Sequence, residues 1–142
     1  MRDYREFYTK IGVLKCLYCE TQLTANNYQL DHLIPWSRFP INRIWNLYPA
    51  CQTCNVQKSN LLIDFNEQMQ EKVGKIITLI IENGDGMNKN IVIDLQYLYK
   101  MYFKTEFVKS DRTRIEMVAY LKSVIEDLSD KIPGKRFIPS SG

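Results

Sequence analysis

The chain of 142 residues has a single histidine, His32, and only four cysteines. One imidazole leaves few routes to acid–base chemistry near neutral pH, because histidine is the side chain whose unperturbed form titrates there. The cysteines all fall in Cys-x-x-Cys pairs, which argues against a scattered disulfide framework. No apolar run approaches the roughly 20 residues needed to span a bilayer, so no membrane association is expected. The stretch Met1-Arg2-Asp3-Tyr4-Arg5-Glu6 has no apolar signal core, and a cytoplasmic setting is the expectation. In a reducing cytosol the thiols remain free or bind metal. There are no internal repeats or low-complexity segments.

The net charge of +3 is too small by itself to announce a nucleic-acid partner. Its distribution says more. Residues 1–62 hold seven Lys/Arg against four Asp/Glu, whereas residues 63–142 hold twelve of each. The cationic excess lies in the half that carries the cysteines, where it can add sequence-independent affinity for a phosphate backbone.

Hydrophobic spacing gives a coarse organisation. Tyr4, Phe7, Tyr8 and Ile11 predict a helix over 2–14. Residues 28–33 are strand-like and end before Pro35, and Leu47-Tyr48-Pro49 suits a second short strand. Residues 52–60 should be helical. Asp64-x-x-Glu67 has the form of a capping box ahead of a helix over about 65–82. Ile76 to Ile81, Asn83-Gly84-Asp85-Gly86 and Ile91 to Ile93 fit a hairpin as an alternative. Asp94 can cap a further helix that buries Leu95, Leu98, Tyr99, Tyr102 and Phe103. A last helix over about 112–128 turns Ile115, Val118, Leu121, Val124 and Ile125 inward. The expected division is a core over 1–62, a helical extension over 63–130 packed on it, and a flexible tail over 131–142 from Pro133-Gly134 onward.

Cys16, Cys19, Cys51 and Cys54 bracket the histidine, with 31 residues between the two pairs. Each pair forms a turn that aims two sulfurs at one point, and four thiolates suit tetrahedral Zn²⁺. A closed four-sulfur site leaves no open position, so this zinc is expected to be structural, holding together a region with little apolar core of its own. A redox dithiol and plain buried thiols are the alternatives.

Inside this bracket stand Leu30-Asp31-His32-Leu33-Ile34-Pro35-Trp36-Ser37 and Trp45-Asn46-Leu47-Tyr48-Pro49, followed by Cys51-Gln52-Thr53-Cys54-Asn55-Val56-Gln57-Lys58-Ser59. Over about residues 16–62 this resembles the HNH endonuclease family: an Asp-His pair on a strand, Asn-Leu in the next loop, and Cys-x-x-Cys-Asn-x-x-Lys on a helix. The resemblance implies an α+β fold with a small ββα-metal core, flanked by an N-terminal helix and a mostly helical C-terminal extension. It implies hydrolysis of DNA phosphodiester bonds, by nicking or cutting, to leave 5′-phosphate and 3′-hydroxyl ends; RNA stays open as a substrate.

By the same resemblance, His32 and Asn46 are the catalytic candidates. His32 activates the water, and Asn46 steadies the loop without touching substrate. Asp31 and Asn55 would hold a catalytic divalent cation. Their hard oxygens, with Asn rather than His at the final position, favour Mg²⁺ or Mn²⁺. Adjacent strand residues face opposite ways, so Asp31 and His32 reach one site only if the strand ends or bends there. Lys58, Arg38 and Arg43 are candidate phosphate contacts, while Trp36 and Trp45 read as packing groups. The Pro35-Trp36-Ser37 and Trp45 to Pro49 segments look like those of HNH proteins from restriction or phage defence. The rival reading is a non-catalytic zinc-knuckle module that binds nucleic acid or protein. The C-terminal helices could bind a protein partner.

Overall fold

The computed structural model describes residues 4–139. Helix α1 (Arg5–Lys10) turns Tyr4, Phe7 and Tyr8 into the core. It stops short of the expected residue 14 because Gly12 takes a φ of +79°, a conformation that ends a helix and that glycine tolerates without strain. The next residues pair Lys15 with Gln22 in an antiparallel bridge. Between them runs the turn that carries Cys16 and Cys19.

Strands β1 (Gln29–His32) and β2 (Leu47–Ala50) pair antiparallel, with Asp31 opposite Tyr48 and His32 opposite Leu47. A short 3₁₀ turn, Ile44–Asn46, leads into β2. Every residue of β2 is buried. Pro49 has no N–H to give, but its carbonyl accepts from the Leu17 amide at 2.9 Å. That bond fastens the first cysteine turn beside the second. Helix α2 (Gln52–Lys58) follows at once and closes at Ser59, which adopts a φ of +47°.

Helix α3 (Glu67–Met87) is capped by Asn66, whose side chain accepts from the Met69 amide at 3.0 Å. The Asp64-x-x-Glu67 box is therefore not the start signal. The helix runs straight through Asn83–Gly86, so the hairpin alternative does not form. The reason is packing: a Cβ on Gly84 would lie 2.5 Å from Ile91 Cγ2, so this glycine lets α4 approach rather than turning the chain.

The break comes at Asn88, which caps α4 (Lys89–Leu98) through the Asn90 amide at 2.9 Å. Asp94 is consequently not a cap but a wholly buried mid-helix residue. The chain winds on through a wider π-type turn, Tyr99–Phe103, in which Tyr99 is buried and Tyr102 is exposed, against expectation. Ser110 caps α5 (Asp111–Lys131), which packs on α3. Met117, Leu121 and Ile125 face inward, while Ile115 is exposed.

One apolar core runs without a break from α1 and the hairpin through α3, α4 and α5. The stretch expected to be a tail returns to it. Phe137 is buried and bridges in parallel to Ile63, with Phe137 N donating to Leu62 O at 2.8 Å and Asp64 N to Phe137 O at 2.9 Å. Residues 140–142 of that expectation lie outside the described residues.

Candidate active site and metal centre

The two cysteine turns meet. All four Sγ atoms lie within 4.8 Å of one another, and Cys19 and Cys51 are 3.8 Å apart. Tetrahedral zinc with Zn–S near 2.3 Å requires sulfurs about 3.8 Å apart, so the donor set and its spacing fit one structural Zn²⁺. The local backbone prepares this. Cys51 caps α2, its sulfur accepting from the Cys54 amide at 3.4 Å. Glu20 turns the first knuckle with a φ of +63°, and its amide donates to Cys16 O at 2.9 Å. Burial pushes the Cys16 and Cys54 thiols up. At Cys19 burial acts the same way, but bonds from the Thr21 hydroxyl and amide, and from the Cys54 and Cys16 thiols, outweigh it and bring the thiol down to about 7.

Helix α2 lies over the hairpin so that two of its side chains meet two alternate residues of β1. Asn55 Nδ2 donates to Gln29 Oε1. One turn later, Lys58 Nζ sits 3.2 Å from Asp31 Oδ2 and donates to the His32 carbonyl at 2.7 Å. Asp31 Oδ2 also accepts from the buried Tyr18 hydroxyl. Lys58 is therefore not on a solvated helix face: its side chain is 0% exposed, and it clamps the strand instead of waiting for a phosphate. Burial pulls its ammonium below the usual lysine range, and the Asp31 carboxylate works against that pull. A buried charge of this kind is tolerable only with partners that satisfy it, and Lys58 has them.

Both bonds to Asp31 fall on Oδ2, and among the described residues none meets Oδ1. The Asn55 amide is likewise held by its nitrogen, leaving its oxygen unengaged among the described residues. Two hard oxygens, of the kind that Mg²⁺ and Mn²⁺ prefer, are thus left without a bond among the described residues.

Strand β1 ends at His32, and the chain bends over residues 33–34. His32 faces the loop that follows. Its Nε2 lies 2.6 Å from Asn42 Oδ1, and its ring stands 5.9 Å from that of exposed Trp36. An amide oxygen accepts, so the Asn42 contact calls for a proton on Nε2 and leaves the lone pair on Nδ1.

The loop itself is pinned from inside by Asn46, which is wholly buried. Its Oδ1 accepts from Ile34 N at 2.9 Å, and its Nδ2 donates to Ile34 O and Ile41 O, both at 3.1 Å. All of the Asn46 side-chain bonds thus go to the loop backbone.

Of the two arginines, Arg38 is exposed in the turn after Pro35 and carries no ion pair among the described residues. Arg43 is committed elsewhere. It pairs with Asp94 at 3.0 Å and lies 3.9 Å over the Tyr97 ring. Asp94 also accepts from the Ile44 amide at 2.8 Å and from the Tyr4 hydroxyl, and its carbonyl takes the Trp45 indole N–H at 3.3 Å. The helical extension thereby grips the loop that carries Asn42 and Asn46. Trp45 is buried packing, as read from the sequence.

Three contributors escaped the sequence reading: Asn42, Tyr18 and Asp94. Tyr18 had the clearest signal, an aromatic between two zinc-ligand cysteines. Asn42 had none beyond being polar within the motif, and Asp94, 32 residues beyond it, offered only the signal of a helix cap.

Among the described residues no helix is long and apolar enough to cross a membrane. No curated protein matches the chain. Residues 16–62, less than half of the chain, match the family model described as HNH endonuclease. Both cysteine turns, the Asp31-His32 strand end, Asn46 and the Asn55 helix fall inside this match, so this segment is similar to an HNH endonuclease domain.

Proposed function

We propose that the protein is a divalent-cation-dependent endonuclease that hydrolyses DNA phosphodiester bonds. The observation that carries this reading is the pair of open oxygens, Asp31 Oδ1 and Asn55 Oδ1, on the face where α2 meets β1, with an oriented imidazole at the end of the same strand. A zinc scaffold alone needs none of these groups.

His32 Nδ1 would take the proton from the attacking water, and Asn42 holds the ring in the tautomer that permits it. Asp31 and Asn55 would hold Mg²⁺ or Mn²⁺, which supplies positive charge opposite the departing 3′-oxygen when bound. Cleavage on that side of the phosphorus leaves 5′-phosphate and 3′-hydroxyl ends. Exposed Arg38 is the remaining candidate for holding the substrate backbone. Thiols available for zinc suit a cytoplasmic setting. The resemblance of the two tryptophan-bearing segments to defence-associated proteins supports a role in restriction or phage defence.

The test is cleavage of plasmid, single-stranded DNA and RNA by zinc-loaded protein, with and without added Mg²⁺ or Mn²⁺, beside His32→Ala. Cation-dependent cleavage that His32→Ala abolishes is the expected result. Salt-sensitive binding without cleavage of any substrate would establish the non-catalytic module instead.

A further inference from the structure

Tyr18 sits between the first two zinc-ligand cysteines, yet its function is not exhausted by packing. Its ring is fully buried. The hydroxyl donates to Asp31 Oδ2, the same oxygen that Lys58 holds at 3.2 Å. Lys58 Nζ also lies 5.9 Å from the Tyr18 ring centroid. From the other side, Phe137 packs edge-on against that ring, with centroids 5.3 Å apart and planes at 88°. The phenol cannot swing away without displacing either the knuckle backbone or Phe137.

We infer that Tyr18 is a positioning residue for the catalytic cation: with Lys58 it fixes Oδ2 of Asp31, so that the carboxylate meets a divalent ion through Oδ1 alone. This rests on the proposed role of Asp31 as a cation ligand. It gives the zinc staple a second consequence, because the knuckle that zinc closes also aims the carboxylate. A free carboxylate can meet a cation with either or both oxygens. One whose far oxygen is held by a phenol and an ammonium is restricted to one geometry. Groups that orient a metal ligand in this way are worth about ten- to a hundredfold in metal affinity.

The test is Mn²⁺ binding to the zinc-loaded protein, followed by calorimetry and by the loss of the free-ion electron paramagnetic signal, for wild type, Tyr18→Phe and Asp31→Ala. Zinc content is measured alongside. Tyr18→Phe removes one oxygen and keeps the ring that Phe137 touches, so it should retain zinc while binding Mn²⁺ about ten- to a hundredfold more weakly. Wild-type affinity in Tyr18→Phe, with binding lost in Asp31→Ala, would overturn the inference and leave the cation site standing. Equal binding by wild type and Asp31→Ala would remove the cation site and the inference together.

A second measurement needs no substitution at Tyr18. With ¹³C at tyrosine Cζ, the Tyr18 resonance should shift on adding Mg²⁺ to wild type and stay still in Asp31→Asn. A resonance that ignores Mg²⁺ in wild type would overturn the inference even if Tyr18→Phe lost zinc.

Discussion

Asn42 Oδ1 stands 2.6 Å from His32 Nε2, so the only imidazole in the chain is oriented by the loop that follows it and not by its own strand. Asn42→Ala should lower kcat by up to about a hundredfold, the order of cost for a misplaced reacting group. The Mn²⁺ requirement should not change. Asn42→Asp, which keeps an acceptor, should recover part of the loss. Steady-state cleavage across pH and Mn²⁺ concentration separates these effects. An unchanged kcat in Asn42→Ala would show that the ring is held by something else.

Asn46 acts one layer further in. Asn46→Ala would strand Ile34 N, Ile34 O and Ile41 O inside the loop. Buried polar groups left without partners cost about 1–3 kcal/mol each, and partial relaxation of the loop should bring the total to about 2–4 kcal/mol. Urea unfolding of the zinc-loaded variant reads this directly. Zinc stoichiometry should remain one per chain, since none of these bonds involves the knuckles.

Asp94 joins the extension to the nuclease loop. Asp94→Ala leaves Arg43 and the Ile44 amide without their acceptor, and breaking a buried pair from one side costs about 3–5 kcal/mol. Asp94→Asn, which keeps an acceptor oxygen, should cost less. Both variants should lose cleavage in step with the ordering of residues 41–46, followed by amide hydrogen exchange. Wild-type exchange in that loop for Asp94→Ala would mean that the extension does not hold it.

Removing zinc should unfold the knuckles and, through the Leu17–Pro49 bond, loosen β2. Zinc binding requires deprotonated thiols, so affinity falls as pH falls. A chelator should lower Tm sharply, and added Zn²⁺ should restore it. A melt indifferent to the chelator would exclude a structural metal.

Tyr8 and Tyr48 set an alkaline limit. Both are buried, Tyr8 donating to Leu47 O at 2.7 Å and Tyr48 to Trp45 O at 2.9 Å. Burial raises both phenols, and for Tyr8 the neighbouring Tyr48, Tyr28 and Tyr4 add to it. The unfolded chain then loses these protons first, near the ordinary value of about 10. Their contribution is complete below that pH and is lost as pH rises beyond it. Tyr18, Tyr99 and Tyr120 are raised by burial in the same way; Lys58, lowered in the fold, has the opposite sign but is one group against five. The urea midpoint should fall between about pH 9 and 11, and Tyr8→Phe should flatten the fall. A midpoint that holds or rises would contradict the balance.

The parts of the site that the sequence made legible are those set by local spacing. Each cysteine pair closes its own turn, and the short strand and the helix expected to carry Asp31, His32 and Asn55 both form. What stayed hidden depends on partners far along the chain. Lys58 looks like a surface lysine until Asp31 and Tyr18 enclose it. Asp94 has the chemistry of a helix cap, and only the approach of Arg43 and Ile44 makes it a buried anchor. Asn83–Gly86 has the composition of a turn, yet the contact of Gly84 with Ile91 makes it helix. Ile115 fits the apolar stripe of α5 but falls beyond the surface that α3 covers.

The bridge between Ile63 and Phe137 sets an order on the chain's making. Ile63 leaves the ribosome soon after the cysteines and the Asp-His pair, whereas Phe137 follows only after the whole helical extension. A nascent chain can thus close its zinc knuckles well before the ring that backs Tyr18 is available. The packing that fixes the Tyr18 hydroxyl on Asp31 is therefore completed late in synthesis, after the segment that it orients.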